Sequence, residues 1–539
     1  MLDNDVKIVT LDSENEIDAF LEYIGEYRVS GTNFHDCLVN IISEVGFPCT
    51  IICEYNYVDK IYRDTFYSYF AGKHYNYERN CKRLSVFQGD IDAEVFFKYD
   101  EKTECMLQKS LVGTMVIKPI ETGRLGRTLL DPSKLHIDSA FLRLTSYSVV
   151  IVGHRFNIEA FPFSSQDAET MTCAETTVWC ILEYYGTQYS EYKTVLPSDI
   201  YREVCEVSSE RVWPSKGLTY EVVSDLLKTF GFSPRLYALK SFAGTNSKKA
   251  FEDSIEYRRI FHYYVESGIP FAVGIATEGE NPIGHSMVCI GHGAKRKNVE
   301  HISKVYIDNI PYVDSADYCC DYVMIDDNRC PYSIDDYKNI SLYENSFVDV
   351  IAVPLYKRIM MEACDARSIV EELLRFEGYN FNAFLFEQEE CMVNDDNPVV
   401  VRLLLTSSRK YKSFRAKNAH CINESKFYSS IVYPKFLWLA EISTQSKYEQ
   451  NKILGEIVLD ATAAITGYVS SYENSVILLR YFNHIGYSYK EGKEIYENEK
   501  GEQFETYLSR FDMMLDNLEY VKEGFHTEFT LYENNLKNI

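Results

Sequence analysis

The sequence predicts an α+β protein whose central section, about residues 155–354, has N-terminal helices packed on an antiparallel sheet and is flanked by α/β domains at 1–154 and 355–539. Three observations carry this expectation. Helix-period and strand-period apolar patterns alternate along the whole chain, with glycine and proline marking their ends. The central section places its helices before a run of short strands. At 539 residues, the chain also exceeds what one hydrophobic core organises.

The elements follow in order. ENEIDAFLEYIGEY reads as a helix, and PCTIICEYNYV, LVGTMVIKPI and FLRLTSYSVVIVG read as β-rich stretches. ETGRLGRTLLDP, with Gly123, Arg124, Gly126 and Arg127, reads as a glycine turn between strands with exposed arginines, because nothing else of a phosphate loop accompanies it. A helix over 173–185 is expected to stop at Gly186. LTYEVVSDLLKTF is expected to stop at Gly231, with PRLYAL following as a strand. FEDSIEYRRIFHYYVESG leads into the strand IPFAVGIA, then HSMVCIGHG and YVMIDDN. Beyond Pro354, Ala363, Ala366, Val370 and Leu373 lie at helical spacing, and VVVRLLLTS, FLWLAEIS and GEIVLDATA read as strands. Arg409, Lys410, Lys412, Arg415 and Lys417 form a basic island, read as a solvated hairpin or as a contact for an acidic partner. A charged helical tail is expected after about residue 488.

Composition narrows the function classes. Lys and Arg total 55 against 80 Asp and Glu, and the net charge of −25 repels nucleic acid and anionic membrane. The start of the chain shows no secretory or transit signal, and no apolar run reaches the length of a membrane span. Fifteen cysteines without a regular frame suit free thiols, so a cytoplasmic location is expected. Metal spacing is poor: no CxxC occurs, and Cys289 with His292 is a lone CxxH inside an apolar strand pattern.

Chemistry concentrates in FPFSSQDAETMTCAETTVWCILEYYG. Thr172 and Glu175 fit a capping box, which makes Thr172 the N-cap and Cys173 the first helical residue. A thiol there faces the positive end of the helix dipole, which favours the nucleophilic thiolate. Val178, Ile181, Leu182 and Tyr185 form the stripe expected to bury one helix face, and Cys180, two turns in, is assigned to packing. The thiolate needs an imidazole partner, and His285 opens the strand GHSMVCIGHG, whereas His292 sits beyond its end. A third group must hold the imidazole; Asp326 comes directly after the apolar run YVMI, with Asp327 and Asn328 next in line. The Cys173 amide supplies one oxyanion donor, and Gln166 qualifies as the second.

In this order, a glutamine before a helix-starting cysteine, then GIPFAVGI, Gly-His on an apolar strand, and a strand ending in Asp, the chain resembles the papain-like cysteine peptidase superfamily over residues 160–335. It is most similar to the bacterial branch containing the double-glycine-leader peptidases of bacteriocin exporters. The resemblance implies a papain-like central domain with Cys173 as nucleophile, His285 as general base, Asp326 as orienting residue and Gln166 as oxyanion donor. It implies no metal or organic cofactor, and a protein or peptide substrate cleaved at a peptide or isopeptide bond. The chain departs from the family in having Ala174 and Glu175 after the cysteine, and seven residues from Gln166 to Cys173. Neither flank resembles a transporter, so exporter substrates do not carry over. Two other readings keep the same scaffold: an acyltransferase or deamidase of transglutaminase-like chemistry on the same thiol, and a non-catalytic protein-binding module.

Overall fold

The computed structural model describes residues 5–26, 34–208, 212–279, 282–307, 309–340, 342–375, 393–464, 475–481 and 528–539, with the backbone of short strands at 484–487, 494–497, 503–506 and 519–520. The fold is mixed α+β with several antiparallel sheets. The N-terminal section is a five-stranded meander in chain order, Val6–Leu11, Cys49–Tyr57, Cys81–Gln88, Leu111–Ile117 and Leu125–Leu130, with every neighbour antiparallel. The α/β character expected there is therefore corrected: helices such as Phe34–Val45 pack on the sheet without linking parallel strands.

The central sheet runs Ser333–Asp336, Asp321–Ile325, Gly284–Gly293, Phe271–Thr277, Ser346–Val353 and Arg235–Ala238, all antiparallel. Alternation of side chains sorts its residues onto two faces. Ala272, Val288, Ile290, Val323 and Ile325 join Val178 and Ile181 of the Cys173–Gln188 helix in one core. Phe271, Val273, Met287, Cys289, Tyr322 and Met324 join the Ile255–Glu266 helix in another. Both faces are covered, so these strands read as continuous apolar runs rather than half-polar ones. Buttressed from several sides, the Cys173–Gln188 helix is buried throughout Ala174–Tyr185, whereas its sequence stripe marks only one face.

That helix also continues past Gly186 to Gln188. Gly186 does not end it; a Cβ there would lie 2.4 Å from the Thr194 backbone nitrogen, so the glycine admits the returning chain. The single helix expected over FEDSIEYRRIFHYYVESG, 251–268, is two, Lys248–Asp253 and Ile255–Glu266. His292 lies inside the Gly284–Gly293 strand rather than beyond it.

A second eight-stranded sheet holds Val305–Ile307, Ile310–Asp314, Val399–Ser407, Phe436–Thr444 and Gly455–Asp460, then the strands from 476 onward, with Ile310–Asp314 to Val399–Ser407 its one parallel pair. The C-terminal section is accordingly antiparallel α+β as well. Ala363–Arg375 is the expected helix, with Ala363, Ala366, Val370 and Leu373 buried. Trp438 is buried and its Nε1 donates to the Met361 carbonyl at 3.0 Å, which makes it a core residue.

The basic island is not a hairpin but the helix Ser408–Lys417, because Tyr411 and Arg415 at i, i+4 turn inward. Arg415 Nη2 donates to Glu456 at 2.7 Å, and the Tyr411 and Tyr428 hydroxyls donate to the other Glu456 oxygen at 2.9 and 2.8 Å. Arg402 lies between two acids, with Nε 2.8 Å from Glu266 on the central helix and Nη1 2.6 Å from Glu441 on the C-terminal sheet. Most of the tail after 488 lies outside the described residues. Where its backbone is described it forms short strands, not helix, and Lys537–Asn538 pair with Phe141–Leu142.

Removing one member of a buried charge pair strands the other. Arg402→Ala is therefore expected to destabilise the fold by about 3–5 kcal/mol, read as a lowered urea midpoint. Arg402→Met and Glu266→Gln combined with Glu441→Gln should recover much of that loss. A single variant as stable as the parent would show that the network contributes nothing.

Candidate active site

The chain entering the site is fixed by local chemistry. Phe163 bridges Thr128, and the Ser165 amide donates to the Leu125 carbonyl at 2.8 Å, so residues 163–165 run along the edge of the N-terminal sheet. Next, Asp167, buried, accepts the amides of Glu169, Thr170 and Met171 at 3.0, 2.7 and 2.9 Å. This turn places Thr172 in extended backbone as the N-cap. The capping box forms: the Thr172 amide donates to Glu175 Oε2 at 3.2 Å, and the Thr172 hydroxyl bonds the same carboxylate. Ser215 Oγ donates to the other Glu175 oxygen at 2.5 Å. Cys173 is the first residue of the helix, half-buried, as the capping pattern predicts. Cys180 is fully buried, and burial pushes its thiol far up, in keeping with packing.

The structure brings Cys173, His285 and Asp326 together. Gly284–Gly293 presents His285 at its entrance, and Asp321–Ile325 delivers Asp326 as the first residue past its end. His285 Nε2 is 2.8 Å from Asp326 Oδ1, and the Cys173 side chain lies close enough to the same ring to raise its pKa. Burial alone would depress the imidazole. The hydrogen bond to Asp326, the nearby Cys173 side chain and the charges of Asp326 and Asp327 outweigh it and raise His285 to about 10. The ring is thus an imidazolium at neutral pH.

The adjacent acids are not a solvated turn. Asp326 and Asp327 are 1% and 7% exposed. Asp327 Oδ1 lies 3.6 Å from His285 Nε2, and among the described residues neither of its oxygens finds a hydrogen-bond donor. Burial, reinforced by the charge of Asp326, raises it to about 7 against the pull of His285 and Lys118.

Asn328, the third in line, has a different place. Its backbone amide donates to Asp326 Oδ1 at 3.0 Å, and its side-chain oxygen accepts from Gln166 Nε2 at 2.8 Å. Gln166 is therefore tied to the segment that carries the acid, and its amide retains one further hydrogen. No protein-family model matches the sequence, and no curated protein matches it either.

Three neighbours of the site were not singled out by sequence. The Tyr343 ring meets the His285 ring edge-on with centroids 5.6 Å apart. Tyr220 shares a 2.9 Å hydrogen bond with Ser286, next to the histidine. Lys118, buried, donates to the Ser165 carbonyl at 3.2 Å, and burial lowers it against the pull of Asp167, Asp59 and Asp327. Only composition marked these residues, since tyrosine is abundant and Lys118 follows an apolar strand. The glycine turn serves the fold by admitting a neighbouring backbone, since at Gly123, with φ +60°, a Cβ would collide with the Gln166 carbonyl. Its arginines are half-buried and paired, Arg124 with Glu26 and Arg127 with Glu183. Among the described residues, His285, Asp326 and Asp327 form the one group whose ligand atoms, all within 4.8 Å, have the spacing of an ion site.

Two outcomes test this electrostatic picture. In protein labelled with 13C-histidine, the His285 resonance should titrate near pH 10, and Asp326→Asn should lower that midpoint by about one to three pH units. A midpoint near the ordinary 6.5 in the parent would contradict the assignment. Asp327, raised by burial, costs stability as pH climbs from about 4 through 7. The stability gained by Asp327→Asn, followed by urea unfolding, should grow by about 2–4 kcal/mol between pH 4 and pH 8.

Proposed function

We propose that the chain is a papain-like cysteine peptidase hydrolysing a peptide or isopeptide bond. One observation carries the reading: a half-buried cysteine at a helix N-terminus stands beside an imidazole that a buried carboxylate holds at 2.8 Å and keeps protonated. In this mechanism Cys173 reacts as a thiolate whose proton is carried by the His285 imidazolium; the sulfur attacks the carbonyl carbon, and the carbonyl π electrons move onto oxygen. The oxyanion is met by the Cys173 backbone N–H and the remaining Gln166 amide hydrogen. The His285 imidazolium gives its proton to the departing amine as the C–N bond breaks, leaving a thioester. The now neutral ring takes a proton from water, whose oxygen displaces the sulfur and releases the acid. Asp326 keeps the imidazole oriented throughout.

Ala174 and Glu175 stand where the resembled family usually has glycine or a Gly-Pro pair, and of the two only Glu175 brings a charge. Its carboxylate is spent on the capping box and on Ser215, so the departure is compatible with catalysis. Among the described residues no helix is long and apolar enough to cross a membrane.

The test is a comparison of new protein N-termini in cells expressing the parent and Cys173→Ala. Termini specific to the parent are expected, and with a cleaved peptide in hand, Cys173→Ala and His285→Ala should each lower kcat by about 10^4-fold or more. Identical terminus profiles, with retained biological activity in Cys173→Ala, would leave the chain a non-catalytic scaffold. If amines compete strongly with water for the thioester, the chemistry is acyl transfer instead.

A further inference from the structure

A cavity of about 380 Å³ lies at the far end of the nucleophile helix, between the central sheet's surroundings and the C-terminal section. Its lining first meets that helix at Tyr185, about 18 Å of axial rise from Cys173. Rings line it, Tyr192, Tyr356 and Phe436 among them. Three cations line it too, Arg409, Lys410 and Lys435, the first two from the basic island.

The charge balance at this cavity is unusual for a chain of net charge −25. Glu191 is the one acid in the lining, and it lies 3.4 Å from Lys435. Lys435 also sits over the Tyr356 ring at 4.3 Å. Lys410 Nζ has a neutral partner, Asn535 Oδ1 at 2.5 Å. Among the described residues neither Lys410 nor Arg409 meets a carboxylate within ion-pair distance. Partial burial, with the Arg143 guanidinium nearby, lowers the Lys410 ammonium to about 8, the mark of a cation without compensating charge. An anion entering the cavity would supply that charge, while the rings offer a flat apolar surface for the rest of the molecule.

We propose that this cavity binds a small anion carrying a planar ring, of the nucleoside-phosphate or aromatic-carboxylate class. The ring lies against Tyr192, Tyr356 and Phe436, and the anionic group is held by Arg409 and Lys410, with Lys435 at the rim. Such a ligand bridges the end of the nucleophile helix and the C-terminal section. The site is independent of the thiol chemistry.

Calorimetric titration of the full-length Cys173→Ala chain tests this whatever becomes of the peptidase reading. The probes are AMP, indole-3-acetate, adenosine and inorganic phosphate. AMP or indole-3-acetate should bind at least about tenfold more tightly than adenosine and phosphate, and Arg409→Glu with Lys435→Glu should weaken that binding by about tenfold or more. Preference for AMP assigns the phosphate class, and preference for indole-3-acetate the carboxylate class. Both replaced side chains are exposed, so an unchanged unliganded melting temperature verifies the fold. Absence of binding by both ring-bearing anions, or binding that survives the charge reversal within about twofold, overturns the proposal.

Discussion

An imidazole buried beside a carboxylate is a commitment that the surrounding fold must honour. Removed from water, the ring loses its hydration, and the hydrogen bond to Asp326 is the foremost of the contacts that keep it charged. That contact joins the entrance of one strand to the exit of its neighbour, so the pairing of Gly284–Gly293 with Asp321–Ile325 is itself part of the site. Beyond the end of its pairing with Phe271–Thr277, the first of these strands also pairs through Gly291–Gly293 with Ala140–Leu142 from the N-terminal section. Register in the central sheet and charge on the imidazole are therefore one constraint.

The outer sections act as walls for that constraint. From the N-terminal side, the sheet edge holds residues 163–165, Gly123 receives the Gln166 backbone, and Lys118 braces Ser165. From the C-terminal side, Arg402 connects Glu266 of the central helix to Glu441. The last residues of the chain add an ordered strap: Asn535 accepts from Arg143 at 2.6 Å through its carbonyl, and its side chain donates to the Ser267 carbonyl at 2.7 Å. Strands exchanged between sections, such as Ile310–Asp314 in the C-terminal sheet, bind the parts through backbone hydrogen bonds rather than surface contact alone.

How much of this the sequence reveals depends on whether the signal is local. The capping box at Thr172 and Glu175 is a three-residue relation, and the helix begins where it predicts. Strands with continuous apolar character, such as Val399–Ser407 and Phe436–Thr444, are equally legible. What fails is anything decided by partners distant in the chain. Gly186 reads as a terminator because the returning backbone at Lys193 and Thr194 is invisible in its neighbourhood. Arg415 reads as solvated because Glu456, 41 residues later, cannot be assigned to it beforehand. The convergence of Cys173, His285 and Asp326 became legible through the order of motifs. The place of Asn328, linking Gln166 to the acid's loop, emerges only in three dimensions.

The two neighbouring acids show how burial divides labour between identical groups. Asp326 accepts from the ring and from the Asn328 amide, so its charge is solvated by the protein. Among the described residues Asp327 finds no donor, yet it is nearly as buried and is raised to about 7. Retaining an unpaired carboxyl there is costly unless its field is useful. Its position, 3.6 Å from His285 Nε2, supplies a reason: when ionised, it adds a second negative charge behind the imidazolium without competing for the ring's hydrogen bond. Lys118 limits the expense from the opposite side, since its ammonium feels both Asp327 and Asp167. A pair of acids so arranged makes the imidazolium's charge depend on the protonation of a neighbour that does not hold it. Orientation by Asp326 and electrostatic support by Asp327 are thus separable properties of one strand end.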